Sequence, residues 1–176
     1  LRTFYQVANS FFMSLHQSPT DFRPFHSLNA LFDGLAESVV PNSCNILVIA
    51  GKLDREKLKR SIRLSLSKHP ILCSQIQTVS GQRGWRVPER ELPIDIRFVR
   101  FHSDEQSEID QYLVEQIWNE KISPDGRPLR FHITETPSRT YLQTIHTHIY
   151  ADATSCYNLT LDIEKHYSAT RRESLA

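Results

Sequence analysis

Apolar residues in this chain change their period several times, and each change marks an element. Leu28, Leu31, Phe32, Leu35 and Val39 recur at helical spacing up to Pro41, which predicts a first helix. The compact apolar run at 46–50, closed by Gly51, predicts a buried strand. Leu58, Ile62 and Leu66 then repeat every fourth residue. Asp54 stands before them as an N-cap, Glu56 falls in the first turn, and Pro70 ends the helix. Leu72, Ile76 and Val79 lead into Gly81 and Gly84, the expected turn between two strands. Ile94, Ile96 and Phe98 alternate with Asp95 and Arg97, the period of a strand.

Ser103 with Gln106 resembles a capping box, and Ile109, Leu113 and Ile117 behind it predict another helix. After the Pro124-Asp125-Gly126 turn, Leu129, Phe131 and Ile133 alternate as a strand, and a further strand is expected over 141–149. Leu159, Ile163 and Tyr167 form the last helical stripe, with Thr154 or Ser155 as cap. Residues 1–25 mix apolar side chains with Pro19, Asp21 and Pro24 and read as an irregular or strand-like lead-in. The order is strand, helix, strands, helix, two strands, helix, with no internal repeat or linker. It predicts one mixed α/β lobe over residues 1–176, an α+β sheet with packed helices, in which the runs at 94–98, 129–133 and 141–148 pair in a single sheet.

Composition narrows the field. Lys and Arg total 21 against 20 Asp and Glu in 176 residues, a net charge of +1, which argues against a nucleic-acid binder. No apolar run approaches the ~20 residues that span a bilayer. Cys44, Cys73 and Cys156 are too scattered for a disulfide framework or a zinc ribbon, so a reducing, cytoplasmic compartment is expected. The chain opens on Leu1 without a signal-peptide pattern, and its true start is expected to lie upstream.

The densest group of chemically useful side chains is His146-Thr147-His148-Ile149-Tyr150-Ala151-Asp152, at the end of a predicted strand and ahead of a helix. Strand alternation puts His146 and His148 on one face, and Asp152 falls in the following turn. Three readings compete: ordinary polar residues at a strand-to-turn junction, a His-x-His metal pair, or a general base. The metal reading lacks a third ligand, since the spacing of His69, His102 and His132 indicates none. Cys156, on the first turn of the last helix, is a nucleophile beside a histidine or, more simply, a packed thiol. Trp85 and Trp118 are expected as core or cleft aromatics. Lys57, Lys59, Arg60 and Arg63 read as the solvated face of a helix.

Thr147-His148-Ile149-Tyr150-Ala151-Asp152-Ala153 resembles the HHxxxDG segment of the chloramphenicol-acetyltransferase-like superfamily, which includes the condensation domains of non-ribosomal peptide synthetases. Two upstream blocks agree with it. Residues 125–131 resemble the family's gPLlR strand. The stretch from Gly51-Lys52-Leu53-Asp54 to Lys68-His69-Pro70-Ile71-Leu72 resembles its GxLD…RHPxLR block, with His69 ending the helix. The resemblance covers about 28–167. It implies the N-terminal lobe of an acyltransferase that moves an acyl group from a CoA or carrier-protein thioester to an amine or hydroxyl.

In that likeness His148 is the general base, and Asp152 is structural, paired with a cation for which Lys68 or one of the nearby arginines is the first candidate. His146, Thr147 and Ala153 are neighbours of the site. No metal and no tightly bound cofactor are implied; the thioester donor, CoA or phosphopantetheine, is a substrate. Thr147 and Ala153 replace the motif's first His and its Gly, while Lys68 and Cys73 replace two arginines. The family enzyme is a pair of lobes, and this chain stops one helix after the motif. The expected partners are therefore a second lobe or another copy of the chain, with a carrier protein as donor. The rival reading is a non-catalytic lobe that binds a partner or a thioester ligand without turnover.

Overall fold

The helix predicted from Leu58, Ile62 and Leu66 forms as Arg55–Leu66, with the Asp54 side chain accepting from the Lys57 amide at 3.0 Å. In this computed structural model, residues 22–35, 42–87, 94–120, 122 and 128–173 are described. The elements are β1 (Phe22–Pro24), α1 (Ser27–Leu35), β2 (Ser43–Ala50), α2 (Arg55–Leu66), a 3-10 turn (Pro70–Cys73), β3 (Gln75–Val79) and β4 (Gln82–Arg86). They continue as β5 (Ile96–Arg100), α3 (Gln106–Asn119), β6 (Leu129–Glu135), β7 (Arg139–His146) and α4 (Ala153–Glu173). The lead-in at 1–21, the helix end at Val39 and Pro41, and the Pro124-Asp125-Gly126 turn lie outside the described residues.

Four strands make the main sheet, in the order β2-β7-β6-β5. The β2–β7 and β6–β7 pairs are antiparallel. β5 and β6 are parallel, with α3 as the crossover that a parallel pair requires. The three runs expected in one sheet are together there. A smaller sheet, β1-β4-β3, stands beside it.

Alternation along β6 and β7 sorts their side chains to two faces. Leu129, Phe131, Ile133 and Leu142 join Leu58, Ile62 and Leu66 of α2 and Leu159 and Ile163 of α4 in the main core. Tyr141, which points the other way from Leu142, packs with Ile109 and Leu113 of α3. The sheet is thus covered by α2 and α4 on one face and by α3 on the other, which buries β6 and β7 on both sides.

Ion pairs tie the helices to this frame. Arg55, first residue of α2, grips Glu135 at the end of β6 with Nε and Nη2, at 2.9 and 2.8 Å. Arg100 adds a contact to the same carboxylate at 3.1 Å. At the far end of α2, His69 Nε2 lies 3.0 Å from Asp162 Oδ2, and Lys68 Nζ lies 3.9 Å from Asp162 Oδ1, on α4.

Several local expectations are corrected. β2 is an edge strand, paired only with β7, and one of its faces is open: Ile46 is 39% and Val48 52% exposed. Gly84 lies inside β4, not in the turn; β1 crosses so close that a Cβ there would sit 2.1 Å from the Arg23 carbonyl oxygen. The turn is Ser80-Gly81, with Gly81 at a φ of 79° that favours glycine. No capping box forms at Ser103, since α3 starts behind Glu105, whose side chain makes no capping bond. Trp85 is in the core, but Trp118 is 76% exposed on α3. Leu31 of the first predicted stripe is also exposed, while its neighbour Phe32 packs on the core. No described helix is long and apolar enough to cross a membrane.

Candidate active site

β7 ends at His146, three residues earlier than the sequence pattern predicts, and the chain turns at once. The amides of Tyr150 and Ala151 both donate to the Thr147 carbonyl, at 3.1 and 3.3 Å. That turn takes His148 off the strand. From residue 140 to 151 every side chain but that of His148 is buried.

Three partners hold the exposed imidazole and its turn. Ser43, the first residue of β2, places its Oγ 2.7 Å from His148 Nε2. Phe32 of α1 stacks on the ring, with centroids 5.5 Å apart and planes 23° from parallel. Asn29, one turn earlier on α1, donates from Nδ2 to the Ile149 carbonyl at 3.4 Å. The sequence reading missed Ser43, Phe32 and Asn29 as site residues. Only the register of β2 on β7, which sets Ser43 opposite His146, brings Ser43 to the motif.

His146 and His148 do not act as a pair on one face. His146 stays on the strand and faces inward, with its Nδ1 and Nε2 3.3 and 3.4 Å from Cys156 Sγ. Burial holds the His146 imidazole down to about 4, and burial pushes the Cys156 thiol up to about 12. The pair is therefore a neutral thiol against a neutral imidazole, the packed-thiol alternative for Cys156. Among the described residues no three His, Cys, Asp or Glu side chains gather as metal ligands.

Asp152 stands immediately before α4, and its Oδ1 accepts from the Ser155 amide at 2.7 Å. It takes the capping position expected for Thr154 or Ser155 and satisfies a first-turn N–H. Burial raises its carboxyl, but the Ser155 hydrogen bonds and the His148 charge outweigh that and leave it below the ordinary value. The expected Lys68 partner is elsewhere. Lys68 meets α4 at Asp162, ten residues further on and about 15 Å along the helix axis at 1.5 Å per residue. The physical reason is that Asp152's short side chain is already taken by the helix start, while the end of α2 crosses α4 at its middle. Thr147 is buried, and its hydroxyl has no hydrogen-bond partner. Ala153 is exposed as the first residue of α4. Cys73 is half-buried in the 3-10 turn, with its thiol directed to the Leu66 carbonyl at 3.7 Å.

No family model and no curated protein matches the sequence. Solved structures match it closely in shape. A mutant of the starter condensation domain of rhizomide synthetase RzmA superposes with a TM-score of 0.77 at 12% identity, over 88% of this chain and 39% of that one. The fold is that of a condensation-domain lobe. A second RzmA mutant structure, in complex with C8-CoA and Leu-SNAC, matches with a TM-score of 0.72 at 12% identity, over 86% of this chain and 36% of its own. A structure described as SeMet-CT reaches 0.66 at 20% identity, over 85% and 34%. The chain thus spans between about a third and two fifths of the structures that share this condensation-domain fold.

Proposed function

We propose that this chain is the N-terminal lobe of a condensation-type acyltransferase, carrying an acyl group from a CoA or carrier-protein thioester to an amine or hydroxyl. His148 is its general base. The observation that carries the reading is the isolation of that imidazole: it is the one exposed side chain between residues 140 and 151, held at a strand end on a fold shared with condensation domains. An imidazole so placed can accept the proton of an attacking acceptor, and a positioned base of this kind contributes about 10²–10⁴-fold to rate. Asp152 starts α4 and fixes the turn from behind. A second lobe, from the same polypeptide or from a second copy, forms the other wall of the cleft, and the thioester enters as substrate from a reducing, cytoplasmic pool or from a carrier protein. The C8-CoA bound by the RzmA mutant supports a thioester donor.

A second reading, a lobe that binds a thioester or partner without turnover, is favoured by Thr147, whose buried hydroxyl lacks a partner where the family motif has a histidine. Kinetics on the intact protein separate the two, with octanoyl-CoA as donor and a panel of amines and alcohols as acceptors. His148→Ala should cut transfer by about 10²–10⁴-fold while leaving the fold intact. Octanoyl-CoA bound without turnover by the wild type would establish the binding lobe instead.

A further inference from the structure

An exposed general base is open to water as well as to an acceptor. His148 is the one exposed side chain between residues 140 and 151, and any water that gave its proton to this ring would hydrolyse a thioester beside it. The place such a water needs is filled. Ser43 Oγ lies 2.7 Å from His148 Nε2. A neutral imidazole has a single accepting nitrogen, and its one lone pair lies in the ring plane, so while Ser43 donates to Nε2 no other group can. Both ends of the contact are fixed. The Ser43 backbone is the first rung of the β2–β7 ladder, opposite His146. The His148 ring lies against Phe32, and Asn29 of the same helix holds the carbonyl of the next residue. Ser43 is itself half-buried, so its hydroxyl is tethered to the frame while the imidazole faces out.

We propose that Ser43 is a specificity-determining residue that keeps water off the base: its hydroxyl fills the place on Nε2 that the acceptor's amine or hydroxyl takes, and yields it to the acceptor. This rests on the reading of His148 as general base and leaves transfer direct, from thioester to acceptor. Water offers Nε2 one hydrogen bond, the same as Ser43, and lacks the tether, so it gains nothing by displacing the serine. An acceptor brings contacts from the rest of its molecule, and these offset the lost serine bond. Once seated, the acceptor bonds to the acyl carbon as its proton passes to Nε2. The C–S bond breaks, and the proton goes on to the leaving sulfur to release the free thiol. The suppressed side reaction follows the same path with water: its oxygen bonds to the carbon, the C–S bond breaks, and a carboxylic acid and the thiol leave. Nothing is oxidised or reduced in either course.

The test reads hydrolysis in the absence of any acceptor. Release of free thiol from octanoyl-CoA is followed with the intact protein, and formation of octanoyl hydroxamate is followed separately with hydroxylamine, which like water brings no remote contacts. Ser43→Ala should raise both rates by about 2–10-fold, the worth of one net hydrogen bond. Ser43→Thr, which keeps the hydroxyl, should return both to the wild-type level. A second substitution, His148→Ala in the Ser43→Ala protein, should abolish the gain. The arrangement is also read without turnover, from the imidazole ¹⁵N resonances at about pH 8, where a histidine is neutral. Nε2 of His148 should be the unprotonated nitrogen in the wild type, and in Ser43→Ala the proton should redistribute towards Nε2. A proton on Nε2 in the wild type overturns Ser43 as the donor. Hydrolysis that is unchanged in Ser43→Ala, or that falls together with hydroxamate formation, overturns the guard and leaves His148 as base. A gain that survives His148→Ala, or a wild type and Ser43→Ala that both release no thiol and form no hydroxamate, overturns the base reading and the guard with it.

Discussion

Cys156 Sγ lies 3.3 Å from His146 Nδ1, with both side chains buried where the start of α4 meets the end of β7. Nearness to a histidine usually activates a thiol, but only when the imidazole carries charge. Here burial pushes the thiol up to about 12 and the imidazole down to about 4, so neither ionises near neutral pH. Cys156 is therefore expected to resist iodoacetamide at pH 8 in the folded protein and to react only after denaturation. Mass-spectrometric mapping of alkylated peptides checks it, and rapid native labelling of Cys156 would show that the thiol is activated after all.

Acid should weaken the fold through the same histidine. An unfolded histidine binds a proton below about 6.5, whereas His146 refuses it in the fold until about 4. Its contribution is thus fully present above pH 6.5 and lost as the pH falls toward 4, on the order of 3 kcal/mol over the whole window. His132 acts in the same direction, since burial lowers it despite Glu120, whose Oε1 is 3.2 Å from its Nε2, and Asp95; Arg97 reinforces the lowering. Urea midpoints at pH 7 and pH 4.5 measure the loss, and His146→Gln should shrink the difference between them. An unchanged difference would mean that His146 titrates normally.

The Arg55–Glu135–Arg100 cluster ties the start of α2 to the sheet. Glu135 is only 3% exposed on its side chain, while Arg55 and Arg100 are 41% and 55% exposed. The Arg55 hydrogen bonds, despite burial and with help from Arg100, hold its carboxyl down to about 2. Glu135→Gln removes the charge from bonds worth roughly 1.5–3 kcal/mol each when charged, and solvent around the arginines reduces the loss to about 1–3 kcal/mol. Because the folded carboxyl is depressed, its stabilisation is complete above about pH 4.5 and disappears as the pH drops toward 2. Denaturant titrations of wild type and Glu135→Gln should therefore differ at pH 7 and converge near pH 2.

Asp152 is expected to act as a helix cap. Asp152→Ala should cost about 1 kcal/mol, and Asp152→Asn far less, because asparagine caps equally well. Lys68→Ala should change stability by no more than about 0.5 kcal/mol, since its pair with Asp162 is half exposed and stretched to 3.9 Å. Thermal melts of the three variants check the assignment. A large loss in Lys68→Ala matching that of Asp152→Ala would restore the ion pair that the geometry rejects.

Residue patterns alone determined the order of the main elements and the buried face of several of them. The Leu58, Ile62 and Leu66 stripe, the Leu129, Phe131 and Ile133 alternation and the Ile109 and Leu113 pair all sit where their periods put them, because a local period reports directly which side of a helix or strand meets the core. A strand followed by a helix was likewise legible around residues 146–152, although the strand stops at His146 and leaves His148 in the turn, and so was the condensation-domain fold. What the tertiary structure decided was every relationship between residues far apart in the chain. β2 looked interior from its apolar run, yet the strand order leaves it at an edge. Ser43 reaches His148 across 105 residues, Lys68 meets Asp162 in place of Asp152, and His146 turns to Cys156 while His148 faces out. Such contacts depend on strand register and on how helices cross, which are settled by the packing of the whole core and leave no trace in the spacing of neighbouring residues.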